Sequence, residues 1–591
     1  MKNIIFIVCG VLLLCLSCRK EIDYESTSFI FPSTKGYIQT SIAGIVVDEN
    51  NSPLLHAKVT IGDNIILTDL NGVFQFKNVL VDSYNVYIKV EQTGYFHGSR
   101  SIIIQAGTRN TVKIQLLAKS NLKLIGTGQQ LISIKYNDYS IDLFGNGIEY
   151  ENGDPFSGSI EVYTKWLDPT DKNFGDKMPG RLLGTGADGS LTGLVSMGML
   201  AIEFKDGFGK VLKFKEGFEA TLKMRVPASL ISKAPLTIPL WYFDEINGIW
   251  KEDGSATLVN DFYVAKVKHS TFWNCDYKAP LVECKFKVKD KNNKPIIGAK
   301  VFTKLINSTL YGTGYTDSKG QIIGLIPKDE LLNLTVTLPY SQCQNPSYDK
   351  VIGPFSQNDS LDIVIDDPGL YYYTIKGNLL NCDFKPITNG YLMITGFSDL
   401  ILTDDQGNFE TTLITCGPQL NAQVNIKGFD TDNFKASQEY VLNVISGNTT
   451  NAGIIQVCTA ISDYISYSFN GDTYIYTDPK ITGNTNNWLL INRKHLNNSI
   501  GINIEIINFN GLGNSTIDQI DATGEAKNGV YIVHGCEYGK SFCNDLTANI
   551  TEFNGPGGYV SGTYSGMVAD STINPVTPIM ITGTFRSKWN K

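Results

Sequence analysis

Ile42-Ala43-Gly44-Ile45-Val46-Val47-Asp48, then Pro53, Ala57-Lys58-Val59 and Thr68-Asp69-Leu70-Asn71-Gly72-Val73-Phe74, spell out a strand, a turn and a strand. Apolar and β-branched residues run into a turn at Asp48 and Pro53, and a second run closes on Thr-Asp-x-x-Gly. An Asp at the first turn position accepts hydrogen bonds from the turn amides, and Gly supplies the positive φ with which the chain rejoins a strand. The pattern is a hairpin device with no chemistry of its own. It returns twice. One copy carries Lys285 to Asp290, Pro295, Gly298-Ala299-Lys300-Val301 and Thr316-Asp317-Ser318-Lys319-Gly320. The other carries Gly377, Pro386, Asn389-Gly390, Thr403-Asp404-Asp405-Gln406-Gly407 and Phe409. The Pro-to-Thr spacing differs among the copies, unlike the short fixed period of a solenoid, so separate sandwiches in tandem are expected.

The first copy resembles the carboxypeptidase regulatory-like domain on Gly44, Asp48, Pro53, Ala57, Val59, Thr68, Asp69, Gly72 and Phe74, followed by Gly94-Tyr95. That resemblance implies a small β-sandwich of transthyretin-like (prealbumin-like) topology, and a module that accompanies catalytic domains without supplying a catalytic residue.

Outward from this stretch, 591 residues call for several domains. Long stripes of helical period are missing, and nine Asn-Gly pairs, among them Asn247-Gly248 and Asn528-Gly529, mark hairpins. The expected class is all-β, with tandem Ig-like or transthyretin-like β-sandwich domains. Formal charge is −8 with no long basic run, which argues against nucleic acid as a partner.

The chain divides into a signal peptide at 1–17, a tether at 18–38, a first sandwich at 39–118, a different β domain at 119–280, second and third sandwiches at 281–368 and 369–458, and a C-terminal β domain at 459–591. Lys2, an apolar run from Ile4 to Leu16 and small Ser17 make an export signal, too short and too early for a membrane span. Leu16-Ser17-Cys18 resembles a bacterial lipoprotein processing site, although Cys15 stands where that family usually has Leu. The resemblance implies a lipid on Cys18 and the membrane as a partner; an ordinary secretory peptide is the alternative. Arg19-Lys20-Glu21-Ile22-Asp23 resembles the surface-export signal of Bacteroidota lipoproteins, which implies the outer face of the outer membrane. A merely solvated charged tether is its alternative.

Within 119–280, Leu240-Trp241-Tyr242-Phe243-Asp244 runs through Asn247-Gly248 into Ile249-Trp250-Lys251-Glu252-Asp253-Gly254. Alternation puts Trp241 and Phe243 on one face and Tyr242 on the other, and the turn folds Trp250 back, so an aromatic core is expected. With Met178-Pro179-Gly180 and the ending His269 to Asp276, this hairpin resembles an extracellular β domain of cartilage intermediate layer proteins. It is also found beside regulatory-like modules in Bacteroidota surface lipoproteins, and it implies no established active site.

Beyond the signal and Cys18, eight cysteines remain: Cys275, Cys284, Cys343, Cys382, Cys416, Cys458, Cys536 and Cys543. An even number in an exported chain makes all of them disulfide candidates. Cys536 with Cys543, and pairs within the module of Cys382, Cys416 and Cys458, are the expected bridges, the connectivity remaining open.

No His-Glu-x-x-His, Gly-x-Ser-x-Gly or phosphate loop occurs. His269 reads as a histidine packed on aromatics. Asp244-Glu245 is the obvious carboxylate pair for a glycosidase, but it sits beside a turn. The acidic loops Asp168 to Asp171 with Asp176, and Asp430 to Asn433, lack the spacing of a calcium loop. Neither cofactor nor metal is expected. The reading is a non-catalytic, lipid-anchored cell-surface binding, adhesion or scaffolding protein in which a stiff row of sandwiches holds the distal domain out. The alternative is a surface glycan-binding protein that delivers carbohydrate to an outer-membrane importer, with Trp488 and Trp589 as an aromatic platform. A glycan or a surface protein is the expected partner.

Overall fold

The computed structural model describes residues 36–589 except for short internal stretches, the longest being 105–109, 339–346, 495–499, 538–546, 554–558 and 571–576; beyond residue 460, only some side chains are described. Residues 1–35, which hold the expected signal peptide, Cys18 and most of the expected tether, therefore lie outside the described residues. The protein is all-β, a tandem array of β-sandwiches. Among the described residues its helix amounts to Phe174–Lys177 and two short 3-10 turns.

The three repeats share one topology. In each, the opening strand pairs antiparallel with the strand that follows Thr-Asp-x-x-Gly and parallel with the last strand of the repeat. These trios are Tyr37–Val47 with Val73–Asp82 and Thr111–Gln115, Leu281–Asp290 with Gln321–Pro327 and Asp359–Ile365, and Leu370–Asn381 with Asn408–Cys416 and Thr449–Ala460. In the first two repeats a separate four-stranded sheet accompanies the trio, in the first Lys58–Ile61, Asn64–Leu67, Val86–Glu91 and Gly98–Ile102, whereas in the third Lys435–Ser437 pairs with both Asn421–Asp430 and Thr449–Ala460 and joins all its strands into one eight-stranded sheet. Alternation sets the inward faces, so Val86, Ile88 and Val90 are buried while Tyr87, Lys89 and Glu91 stay partly exposed.

The repeated turn works the same way three times. Asp69 Oδ1 accepts from the amides of Asn71 and Val73 at 2.9 and 2.8 Å. Asp317 and Asp404 do so from residues two and four further on, each at 2.8 Å. Gly72, Gly320 and Gly407 have φ of 69°, 69° and 74°. The preceding threonines lock the turn to the earlier loop: Thr68 Oγ1 donates to Leu54 O at 2.5 Å and accepts from Ala57 N at 2.8 Å, as Thr316 does with Ile296 and Ala299. Thr403 repeats the pattern with Ile387 and Gly390.

Strands between Asn121 and Ala279 form one 13-stranded sheet. Its long strand Leu191–Asp206 is buried on both faces, with Leu194, Met199 and Ala201 in one core and Met197, Leu200, Ile202 and Phe204 in another. The expected aromatic core is there. Trp241 and Trp250 are 0% exposed, and Phe243 meets Trp250 edge-on at 5.2 Å. The core holding them runs on without a break into Phe96 and Leu117 of the first repeat and into Val282, Phe286 and Val301 of the second. Strands from Tyr464 to Lys588 form a ten-stranded sheet that curls until Ile481 bridges Trp589.

Candidate functional site

The first repeat is the hub on which the other units meet. Arg100, on the edge strand Gly98–Ile102, donates through Nη1 to Met178 O, and Ser99 Oγ accepts from Gly180 N at 3.0 Å. Ser101 Oγ donates to Gly248 O at 2.6 Å, and Tyr87 packs on Phe243 at 6.1 Å. Met178-Pro179-Gly180 and the Asn247-Gly248 turn, singled out in the sequence as landmarks of the 119–280 domain, are thus its fastenings to the first repeat. Gly248 has a φ of 64°, and a Cβ there would stand 2.2 Å from the Tyr87 ring. Asp244 serves the same turn, accepting from the amides of Ile246 and Asn247 and pairing with Lys251 at 2.5 Å. Glu245 meets His97 Nδ1 at 2.9 Å across the junction. Asp244 therefore braces the turn, and Glu245 alone of the two reaches across to the first repeat.

The third repeat folds back onto the first. Tyr391 donates to Asp69 Oδ2 at 2.5 Å and accepts from Asn71 Nδ2 at 2.7 Å. Lys77 Nζ reaches Thr388 O, Thr403 O at 3.0 Å and Asp405 at 3.5 Å. Val73, Tyr391, Leu400 and Phe429 share a small core there. Asp69 is 1% exposed, and burial pushes its carboxyl up to about 6 despite the Tyr391 hydrogen bond. Gly94 lies against Thr582, which brings the C-terminal unit to the same hub. The linear row expected from the sequence is corrected by these contacts, because one turn of the first repeat doubles as the seat of the third.

A cleft of about 490 Å³ opens where the first repeat, the Met178-Pro179-Gly180 block and the second repeat converge. Arg100 lines it, 9% exposed. On the far wall the strand Tyr311–Tyr315 reads Tyr-Gly-Thr-Gly-Tyr. Its register puts Thr313 beside Phe302 and Tyr315 beside Lys300, and Tyr311 stacks on Phe302 at 5.5 Å. Alternation at 311–315 was the one signal from which this face was legible; nothing in the sequence marked Arg100.

The residues singled out from sequence fall in separate places. Trp589 is 1% exposed, against Phe553 at 5.5 Å inside the C-terminal core, so it is corrected from platform to core residue, its ring packed with Ile481, Val560 and Phe585 in the same apolar cluster. Trp488 lies on Asn487–Lys494, and its side chain is outside the described residues. Cys382 and Cys458 form a disulfide within the third repeat. Cys275 and Cys284 are corrected from disulfide candidates to buried free thiols, since Cys275 faces one core of the 13-stranded sheet and Cys284 the core it shares with the second repeat. Burial pushes Cys284 up to about 12 and Cys275 well above its ordinary value. The side chains of Cys343, Cys416, Cys536 and Cys543 lie outside the described residues. His269 stacks on Trp273 at 6.0 Å and packs on Tyr242. In the acidic loops, Asp168 and Asp430 accept from turn amides while Asp171 pairs with Lys177 at 2.6 Å.

No family model matches the sequence, and no curated protein matches it. Among solved structures the chain is similar to a streptococcal ancillary pilin at 8% identity, covering 39% of this chain and 95% of that one with a TM-score of 0.15. It is similar to the shaft pilin SpaA of Lactobacillus rhamnosus GG at 13% identity, over 30% and 97% of the two chains, with a TM-score of 0.16. A variant of BcpA, the major pilin subunit of Bacillus cereus, matches at 13% identity over 56% and 99%, with a TM-score of 0.13.

Proposed function

We propose that this is a lipid-anchored cell-surface protein whose sandwiches form a non-catalytic scaffold for binding or adhesion. The observation that carries the reading is the hub: one repeat fastened by buried polar contacts to the 119–280 domain and to the third repeat. Such fastening, with the apolar core that the first repeat shares with the 13-stranded sheet, limits motion between the units and leaves several separate faces, which suits the display of binding surfaces more than a hinged cleft. Asp244 is engaged by its own turn and Glu245 by His97 of the first repeat, which leaves the pair tied up in packing. Anchoring rests on Leu16-Ser17-Cys18 and the charged residues behind it.

Metabolic labelling with a palmitate analogue, together with protease shaving of intact cells, tests both parts. Label on the wild type, none on Cys18→Ser, and cleavage without lysis are the expected results. An unlabelled wild type or a fully protected chain would overturn the reading. Delivery of glycan to an importer is the second reading, favoured by the cleft beside Arg100.

A further inference from the structure

We propose that the cleft between the first repeat, the Met178-Pro179-Gly180 block and the second repeat binds a carboxylate-bearing saccharide, anchored by Arg100. This goes beyond the scaffolding reading and does not depend on how the chain is anchored. The cleft's volume of about 490 Å³ lies within the range of small-ligand sites, roughly 300–1,000 Å³. Arg100 is nine-tenths buried at its edge. Its Nη1 donates to Met178 O and, at 3.2 Å, to Ser99 O, whereas its Nη2 has no acceptor among the described residues. A buried cationic donor without an acceptor is unfavourable, and the planar guanidinium fork matches a carboxylate.

The surroundings favour an anion as well. Lys113, Arg181 and Lys300 line the cleft with Arg100; Lys113 is 3.9 Å from the carboxylate of Asp176 and Arg181 donates to Tyr84 O, so the excess positive charge comes from Arg100, Arg181 and Lys300, although the whole chain carries −8. A second observation selects a saccharide over an acidic peptide. Tyr311, Thr313 and Tyr315 share one face of their strand by alternation, beside Phe302 and Lys300 on the next strand. Tyr311 is held between Phe302 and Gly175, and Tyr315 with Thr313 and the neighbouring Lys300 brings a ring, a hydroxyl and a cation together, which matches a pyranose with its apolar C–H faces, hydroxyls and, in a uronic acid, a carboxylate. The volume accommodates about one or two sugar rings and leaves little room for an extended peptide.

Calorimetric titration of the full chain with oligogalacturonate, neutral oligogalactose and an oligoglutamate peptide tests the proposal. Thr313→Trp fills the cleft from an exposed position, and Arg100→Lys keeps the charge but removes the fork. The expected result is binding of oligogalacturonate at least tenfold tighter than either other probe, and weakened at least tenfold by each variant. The Tm of Thr313→Trp should stay unchanged. No oligogalacturonate binding, equal binding of the neutral sugar, preference for the peptide, or full affinity in Thr313→Trp would each overturn it. Should Arg100→Lys loosen the junction with Met178, Thr313→Trp decides alone.

Discussion

Asp69, Asp317 and Asp404 organise identical turns, yet only Asp69 is also the acceptor for a tyrosine from another repeat. Its folded-state pKa of about 6 exceeds the ordinary 3.8, so folding favours the protonated carboxyl. That contribution is complete below about pH 4 and is lost as pH rises through about 6. The difference is worth roughly 3 kcal/mol. Urea midpoints should therefore fall between about pH 4 and 6.5, and Asp69→Asn should flatten that slope; an unchanged slope in the variant would show that Asp69 does not set it. Gly72→Ala tests the turn itself. A Cβ there would stand 2.3 Å from Val46 O at a φ of 69°, so a loss of about 2 kcal/mol or more is expected from denaturation curves. The same change at Gly320, 2.5 Å from Val288 O, should cost a similar amount.

At the scale of elements, the third repeat alone has a disulfide among the described residues. Cys382 and Cys458 tie the turn after the repeat's opening strand to its last strand across a separation of 76 residues. On the chain-entropy estimate, closing a loop of that length stabilises by about 4 kcal/mol. Cys382→Ala with Cys458→Ala should lower the unfolding free energy by up to that amount, with loss confined to this repeat in hydrogen exchange. Cys275 and Cys284 should resist iodoacetamide until the protein is denatured, because burial holds both thiols protonated. Rapid labelling of either under native conditions would contradict their placement. The bridge within the third repeat was legible from sequence as one of several pairings. The two buried thiols were not, because cysteine in a strand packs as readily as it pairs.

For the whole molecule, the contact between the first and third repeats is the feature that shapes the outline. Tyr391→Phe with Lys77→Ala removes the hydrogen bonds to Asp69 and to the Thr403 carbonyl while leaving both sandwich cores intact. Small-angle scattering should show a larger radius of gyration for the double variant, and near-unchanged far-UV dichroism. An unaltered radius would mean that the apolar contact of Val73 with Tyr391 and its neighbours holds the repeats together by itself.

The three repeats, their turns and the aromatic hairpin of the 119–280 domain were determined by the sequence alone. Strand alternation, an Asx turn and a positive-φ glycine act within a few residues of one another and need no distant partner. Which surfaces meet was decided only by the tertiary structure. Asp69 and Tyr391 are 322 residues apart, and Arg100 and Met178 are 78 apart, and no local preference encodes either meeting. Trp589 makes the same point from inside a core: whether a tryptophan offers its ring to a ligand or to a Phe553 depends on which face of the closed sheet it occupies. The cleft beside Arg100 exists because units that are separate in the chain share one hub, so its chemistry becomes readable only once they are packed.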